Sequence, residues 1–529
     1  MEKKNCVSLV LLLTTITLLN LFSDSLSADD TKQWIRETGS MDNNAVVDEL
    51  EAPFTEDIEE LSKFTLTPGK DGRNASSSVV INGSKAYYTS YDISAHKEYV
   101  NKVYCRDINT NVIVWEFVTD KPRNRNIDEK NPSEFYLQGI DRAPLLYENK
   151  LFFGTLSGTF YCLNADKGEL IWSTSLKYKL DTKTSVLGFI SCTPVAYKDS
   201  VFVGISYPMK TRKSNCAKQD SIISCYDIYQ FNIFTGKIIK KYISQLENYS
   251  IVVSMSSTKS NLSLDNGKLF AGIFGNIVCF NDDKIDTPLW KFYLGGNFPY
   301  KSSPTVLEDR VYYGTAESDL FCLSITNGKV IWRTQYKDGI RCTTSITVKD
   351  EKIYLGTRDN SIYCLSKLDG SIIWKYKTPE SILSTPVLSG NRLFVGIYGH
   401  ELLCINANNG KLIKSYDVKG SVNSTVAISD GKIYFGTDDG VFYCFGEKPT
   451  RITIQANQEM KVGETQICIF KSFSNEKKEY KVHLKFSVEP EDYATIDSDG
   501  KISANNPGKC KIIARCNGTI GSLDINIKE

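Results

Sequence analysis

The sequence predicts an all-β chain: an eight-bladed β-propeller of four-stranded blades followed by a small β-sandwich. Three observations predict it. A segment recurs with a period of roughly 40 residues, the size of one propeller blade. The composition is rich in strand formers, with 29 Tyr and 25 Phe against only 15 Pro. The repeat pattern stops near residue 447 and a different alternating pattern runs to the end.

The chain opens MEKKNCVSLVLLLTTITLLNLFSDSLSADD, with two lysines before an apolar run and small residues at Ser25 and Ser27. Residues 1–27 therefore read as a cleaved secretory signal. The run is short for a membrane span, and no later segment is apolar enough to be one. Lys and Arg total 63 against 62 Asp and Glu, a net charge of +1. That balance argues against a nucleic-acid binder or a polybasic membrane patch. Residues 28–62 carry Trp34 in KQWIRETG and then an acidic stretch. The segment near Trp34 is expected to supply the strand that closes the ring, and residues 40–62 to be linker.

The propeller is placed at residues 63–447. Four copies stack directly: LFFGTLSGTFYCLNADKGELIW (151–172), VYYGTAESDLFCLSITNGKVIW (311–332), IYLGTRDNSIYCLSKLDGSIIW (353–374) and LFVGIYGHELLCINANNGKLIK (393–414). Weaker copies bring the count to eight. One column holds Cys105, Cys162, Cys279, Cys322, Cys364, Cys404 and Cys444, with Gln230 in the third copy. The last four cysteines are spaced by 42, 40 and 40 residues. Such a column fits a small, buried, apolar position, too far from its counterparts in neighbouring blades to form disulfides. A turn with Gly follows (Gly168, Gly236, Gly328, Gly370, Gly410), with Asn111 standing in for it in the first copy. The final strand ends in Trp115, Trp172, Trp290, Trp332 or Trp374. The last copy lacks such a strand, so the ring needs one from elsewhere.

Residues 450–529 alternate as several short strands. Cys510 and Cys516 lie on one expected strand roughly 20 Å apart, so they do not bond to each other. Cys468 is able to reach one of them, or all three stay reduced. Asp497-Ser498-Asp499-Gly500 reads as a plain turn, since the flanks are strands and the calcium-loop glutamate is missing. Cys216 and Cys225 flank an insertion in the third copy and are candidates for a local disulfide. Six glycosylation-type sequons occur, at Asn74, Asn82, Asn248, Asn261, Asn423 and Asn517.

The frame Leu-Tyr-x-Gly-Thr…Tyr-x-Leu-(Asn/Asp)-Ala-x-x-Gly-x-x-x-Trp resembles the pyrroloquinoline-quinone-like repeat of quinoprotein dehydrogenases. The resemblance implies that each Trp docks on the neighbouring blade's turn, a packing role. It also implies a choice. Enzymes of that kind hold a quinone and Ca²⁺ at the channel mouth, with a stacking Trp, a base and often a vicinal disulfide. Scaffold relatives, including the outer-membrane-protein assembly lipoprotein, keep only the ring. This sequence has no adjacent cysteines, and its histidines (His96, His400, His483) do not cluster. All six tryptophans, Trp34 included, are claimed by blade architecture. The run from Ala494 to Ala504, with Pro507-Gly508 after it, resembles the bacterial immunoglobulin-like group 2 domain and implies an immunoglobulin-like β-sandwich.

The segments leading into the inner strands are expected to face the channel: Asp141 and Arg142, Ser191 and Cys192, Lys301 and Ser302, Arg341 and Cys342, Leu383 and Ser384, Val422 and Asn423. Asp141, Arg142, Lys301 and Arg341 are the candidate ligand-binding residues, because three cations around one funnel attract an anionic ligand or partner. Insertions at 92–101, 120–138, 207–224 and 243–256 are the other candidate surfaces. The favoured expectation is a secreted, non-catalytic binding or assembly propeller, periplasmic or at the cell surface, monomeric, with protein partners and no cofactor, metal or catalytic residue. The alternatives are a quinone- and calcium-dependent oxidoreductase and a carbohydrate-binding adhesin.

Overall fold

The structure is a computed structural model that describes residues 45–47, 58–65, 78–93, 99–119, 140, 142–179, 185–190, 192–210, 222–243, 260–273, 275–294, 302–315, 319–336, 342, 344–382, 384–429, 431–447, 449–473, 479–480, 484–497, 499–516 and 519–529. Every element among them is a strand. No helix among them is long and apolar enough to cross a membrane. Eight four-stranded units form the blades of an eight-bladed propeller.

Blade six shows the plan. Thr347–Lys349, Lys352–Thr357, Ser361–Ser366 and Ile372–Lys377 pair antiparallel in chain order, from inner strand to outer strand. The two middle strands are buried nearly end to end, while the outer strand is mostly exposed. Blades cover both faces of these middle strands, so near-continuous runs such as IYLG and IYCL replace strict alternation.

The cysteine column now has a packing reason. Cys364 pairs across with Tyr354 on one side and Trp374 on the other. The two rings approach to 6.0 Å between centroids over the small thiol. Blades one, two, four and five repeat this, as Tyr87–Trp115, Phe152–Trp172, Phe270–Trp290 and Tyr312–Trp332, at 5.9 to 6.3 Å. A larger residue between the rings would push them apart. All seven column thiols are buried and free. Burial pushes those of Cys105, Cys162, Cys279, Cys364 and Cys404 up to about 12, and those of Cys322 and Cys444 to about 11. They are therefore protonated at neutral pH and poor nucleophiles.

Each of the five described tryptophans is also a link to the next blade. The indole N–H of Trp115 donates to the Ala165 carbonyl at 2.9 Å, Trp172 to Ile233 at 3.0 Å, and Trp374 to Ala407 at 3.0 Å. Trp290 and Trp332 donate likewise to Ile325 and Lys367, both at 3.0 Å. The ring lies on the neighbour's turn glycine. Gly410 has φ +71°, and a Cβ there would stand 2.7 Å from the Trp374 ring. Glycine is thus required twice, by conformation and by contact.

Nearer the axis, a second set of links joins the blades. Thr305 Oγ1 donates to the Ile346 carbonyl at 2.7 Å, and Thr347 Oγ1 to Pro386 at 2.6 Å. The Asn261 amide oxygen accepts from Thr193 N–H at 2.9 Å, and its own N–H donates to Ser303 Oγ. Asn261 is buried and committed to these bonds, so the folded protein does not offer that sequon to a glycosylating enzyme.

Closure departs from expectation. The outer strand of blade eight is β2 (Ile58–Thr65), which pairs antiparallel with Val441–Glu447, Ser62 opposite Cys444. It comes from the stretch read as linker; Trp34 lies outside the described residues. The physical reason is that the open edge of Val441–Glu447 needs backbone partners more than it needs a tryptophan. The acidic side chains Glu59 and Glu60 are exposed, and Glu60 pairs with Lys63. In blade seven the Trp position is Lys414, and its ammonium donates to the Ile58 carbonyl at 2.9 Å. Thr425 N–H donates to Ser78 Oγ at 3.1 Å, joining blade eight to blade one.

A second strand lies in the same N-terminal stretch. β1 (Val46–Val47) pairs parallel with Val387–Ser389, the inner strand of blade seven.

Residues 451–528 form three small sheets of three, four and three strands around Ile452, Met460, Val488, Ile502, Ile512 and Ile525. Cys468 and Cys510 are buried, Cys516 is half-buried, and all three are free thiols. Asp497 Oδ1 accepts from the N–H groups of Asp499 and Lys501 at 3.0 and 2.9 Å, which is a self-satisfied turn.

Candidate functional site: the axial channel

Antiparallel order puts two kinds of segment on one face of the ring: those leading into the inner strands and the turns between second and third strands. This face carries the channel mouth and the segment holding Arg142. Asp141, Lys301 and Arg341 lie outside the described residues. Arg142 is half-buried beside Tyr226. Burial holds the Tyr226 hydroxyl far above its ordinary value; the Cys192 thiol adds to this and Arg142 opposes it. The three expected cations are therefore represented by one described member.

Several of the residues expected to face the channel turn instead onto their own blades. Ser384 Oγ donates to the Gly396 carbonyl at 3.0 Å and accepts the Gly396 N–H at 2.8 Å. Cys192 makes the same pair of contacts with Gly204, at 3.3 and 3.1 Å. Ser424 bonds the Gly436 carbonyl and Thr344 the Gly356 N–H, at 3.0 and 3.1 Å. These side chains clasp the second strand. Their neighbours Ile382, Cys342 and Val422 fill the space above Gly356, Gly314 and Gly396 of the preceding blade. Asn423 is exposed. Sequence alone gave the position of these residues but not their direction, because a polar side chain that satisfies backbone looks like one that awaits a ligand.

Two of the expected loops begin as strands. In blade three, Ser200–Lys210 and Ile222–Asn232 continue pairing from Ser206↔Tyr226 to Lys210↔Ile222. In blade one, pairing continues from Tyr91↔Asn101 to Ile93↔Tyr99. At about 3.4 Å per residue these ribbons rise about 17 and 10 Å above the rim, on either side of blade two. Insertion 120–138 and, beyond residue 243, insertion 243–256 lie outside the described residues, as does Cys216; Cys225 sits on the blade-three ribbon.

The feature the sequence did not announce is β1. A propeller's inner strand faces the axis, so a strand on its free side lies in the channel. The Leu388 N–H donates to the Ala45 carbonyl at 2.9 Å. Ala45 is fully buried, in one core with Val387, Phe394 and Val422. β1 also lies against Thr347–Lys349, the inner strand of blade six. The signal was there, since Ala45-Val46-Val47 is an apolar step in acidic surroundings, but two valines do not specify a partner.

Comparison with known proteins fits this architecture. Residues 274–385 and 380–451 match the family described as outer membrane protein assembly factor BamB. Both matches fall in the second half of the propeller and its end. No curated protein sequence matches the chain. Among solved structures, BamB from Moraxella catarrhalis is 16% identical at a TM-score of 0.50, covering 74% of this chain and 99% of its own. A europium-containing methanol dehydrogenase is 12% identical at 0.59, covering 82% and 100%. The quinohemoprotein alcohol dehydrogenase from Comamonas testosteroni is 12% identical at 0.58, covering 80% and 83%. At these identities the likeness is one of fold.

The described residues do not fit a quinone site. The five described tryptophans all lie on neighbouring turns, leaving none to floor a planar ring. The axial space beside blades six and seven is taken by β1. Among the described residues no group of three or more His, Cys, Asp or Glu is placed to hold a metal ion.

Proposed function

We propose that this protein is an exported, non-catalytic propeller that binds protein partners at the cell envelope, with its C-terminal sheets acting as an immunoglobulin-like spacer. The observation that carries the reading is β1. Its backbone occupies the part of the ring where a quinone dehydrogenase needs free space for its cofactor. Two further facts support it: the matched family is described as an assembly factor, and the column thiols are buried and protonated, which removes the most abundant candidate nucleophiles. Partner contact falls to the raised ribbons of blades one and three and the loops beside them, since rigid scaffolds bind through such projections. The segments leading into the inner strands carry Asp141, Arg142, Lys301 and Arg341 in sequence, a net positive charge suited to an acidic partner segment.

The test is a titration of the purified protein with pyrroloquinoline quinone and Ca²⁺, with dye reduction followed over a panel of alcohols and sugars. The scaffold reading expects neither saturable binding nor turnover. Saturable binding with turnover would establish the oxidoreductase instead.

A further inference from the structure

A strand that lies in a channel, far in sequence from the blade it joins, behaves as a bound peptide. β1 has that character. In sequence, residues 48–57 separate it from the rim strand β2. Its contact with the ring is main-chain pairing, Val46 with Leu388 and Val47 with Ser389. The one side chain of this segment whose surroundings are described, Ala45, is small and fully buried.

The ring is built to receive a strand at this place. The hydroxyl links between inner strands run from Thr305 of blade five to Ile346 and from Thr347 of blade six to Pro386. The run ends at blade seven, where the corresponding residue is Val387, apolar like Val80, Leu145, Val195 and Ala427 of blades one, two, three and eight, and packed in the same core as Ala45. The axial edge of blade seven offers backbone groups, and its Leu388 N–H already donates to the Ala45 carbonyl, as in strand addition. Among the described residues the other seven inner strands end their sheets on the axial side. Direction matters as well. β1 runs parallel to Val387–Ser389, so it enters at the face bearing the ribbons, and β2 starts at the opposite face, where Ile58 meets Glu447. A segment lying in this site threads the ring.

We propose that the axial channel is a site for an extended peptide, that residues 45–47 are its resident occupant, and that a strand of another chain with small and β-branched residues replaces them. Recognition is by backbone hydrogen bonds along the edge of blade seven, with side-chain size at the Ala45 position setting selectivity. A tethered strand competes at an effective concentration of about millimolar, so the resident keeps the channel closed to weak ligands and yields only to a tighter one. The proposal rests on the geometry of the channel and holds whichever protein the ribbons bind.

The test uses the full chain and a fluorescein-labelled peptide with the sequence of residues 40–51. In the variant V46D/V47D the resident strand carries two carboxylates and leaves the channel. Anisotropy should then show saturable binding at least 10-fold tighter than to the unaltered protein, and none for a peptide bearing the same two substitutions. In the unaltered protein the Leu388 amide should be protected from hydrogen exchange, and in the variant it should exchange faster until peptide is added. Should the variant lose its circular dichroism spectrum, V46G/V47G serves for the same comparison. A folded variant that fails to bind the peptide, equal binding by variant and unaltered protein, or a freely exchanging Leu388 amide in the unaltered protein would each overturn the proposal.

Discussion

Blade six and blade eight bury similar cores and complete them by different means. Blade six is four consecutive strands. Its tryptophan, Trp374, lies on Gly410 of blade seven and bonds the Ala407 carbonyl. Blade eight takes its outer strand from the other end of the chain. Ser62 stands opposite Cys444 where five of the other blades place tryptophan, and the link from blade seven is a lysine, Lys414, on a backbone carbonyl. In the five tryptophan blades, side-chain packing makes the joint. Where the chain ends meet, backbone pairing makes it, and a lysine on a backbone carbonyl also joins blade three to blade four, Lys240 to Asp283.

The contrast can be broken most forcefully at β2. Ile58 is fully buried in the core shared by blades seven, eight and one. Ile58→Asp should cost on the order of 4 kcal/mol, because an unpaired carboxylate enters an apolar site. The denaturant midpoint measures it. A cost below about 1 kcal/mol would mean that β2 does not close the ring.

Next in size is the joint of blade six. Trp374→Ala removes a large ring and its hydrogen bond, and about 3 kcal/mol is expected. Lys414→Ala, at the corresponding place in blade seven, should cost only about 1 kcal/mol, as loss of a single half-buried hydrogen bond does. Equal costs would erase the distinction between side-chain and backbone joints. Gly410→Ala should cost about 2 kcal/mol, from its left-handed backbone and from contact with the Trp374 ring.

The thiols sharpen the comparison through pH. The column thiols titrate near 11 to 12 in the folded chain against an ordinary value of 9. A raised folded value gives stability that is complete below the unfolded value and is lost as pH rises through the folded one. Between pH 9 and 11 each thiol should therefore remove about 1.4 kcal/mol per pH unit. With seven such thiols, the circular dichroism signal should collapse steeply within that window. Cys364→Ala should soften the slope while lowering the midpoint at neutral pH.

The smallest effect belongs to Asn111, which holds φ +62° at the turn where later blades have glycine. Asn111→Gly relieves the backbone, yet it loses the side-chain contact from Arg106 at 2.9 Å. The net change should stay within about 0.5 kcal/mol, and a larger shift would assign the Arg106 contact more weight than a surface bond carries.

The ring was largely legible in the sequence because its packing is periodic. Each Trp, Cys and turn Gly recurs at fixed offsets, and each has one mechanical role that its neighbours repeat. The closing strand was not legible for the same reason. Ile58, Leu61 and Ser62 belong to no repeat, and their partner is an edge of backbone that any extended segment satisfies. β1 is the extreme case, two valines whose meaning lies wholly in Leu388 and Ser389. At the channel mouth, Ser384 and Cys192 were placed on the right segments but not in the right direction. Their bonds run to Gly396 and Gly204 twelve residues further on, a distance that no local pattern reveals.

The central claim is that the N-terminal segment completes the rim of blade eight and so brings β1 to the axis. It is tested most directly by the substitution Ser62→Cys. Ser62 pairs with Cys444, and its hydroxyl stands beside that thiol. Directly opposed residues of an antiparallel pair have Cα atoms about 4.5 to 5.5 Å apart, within disulfide reach. Mild oxidation of the variant should link it to Cys444 in nearly every molecule, seen by mass spectrometry as one peptide pair joining the two ends of the ring. A variant that stays reduced at Cys444, or links elsewhere, would contradict the account.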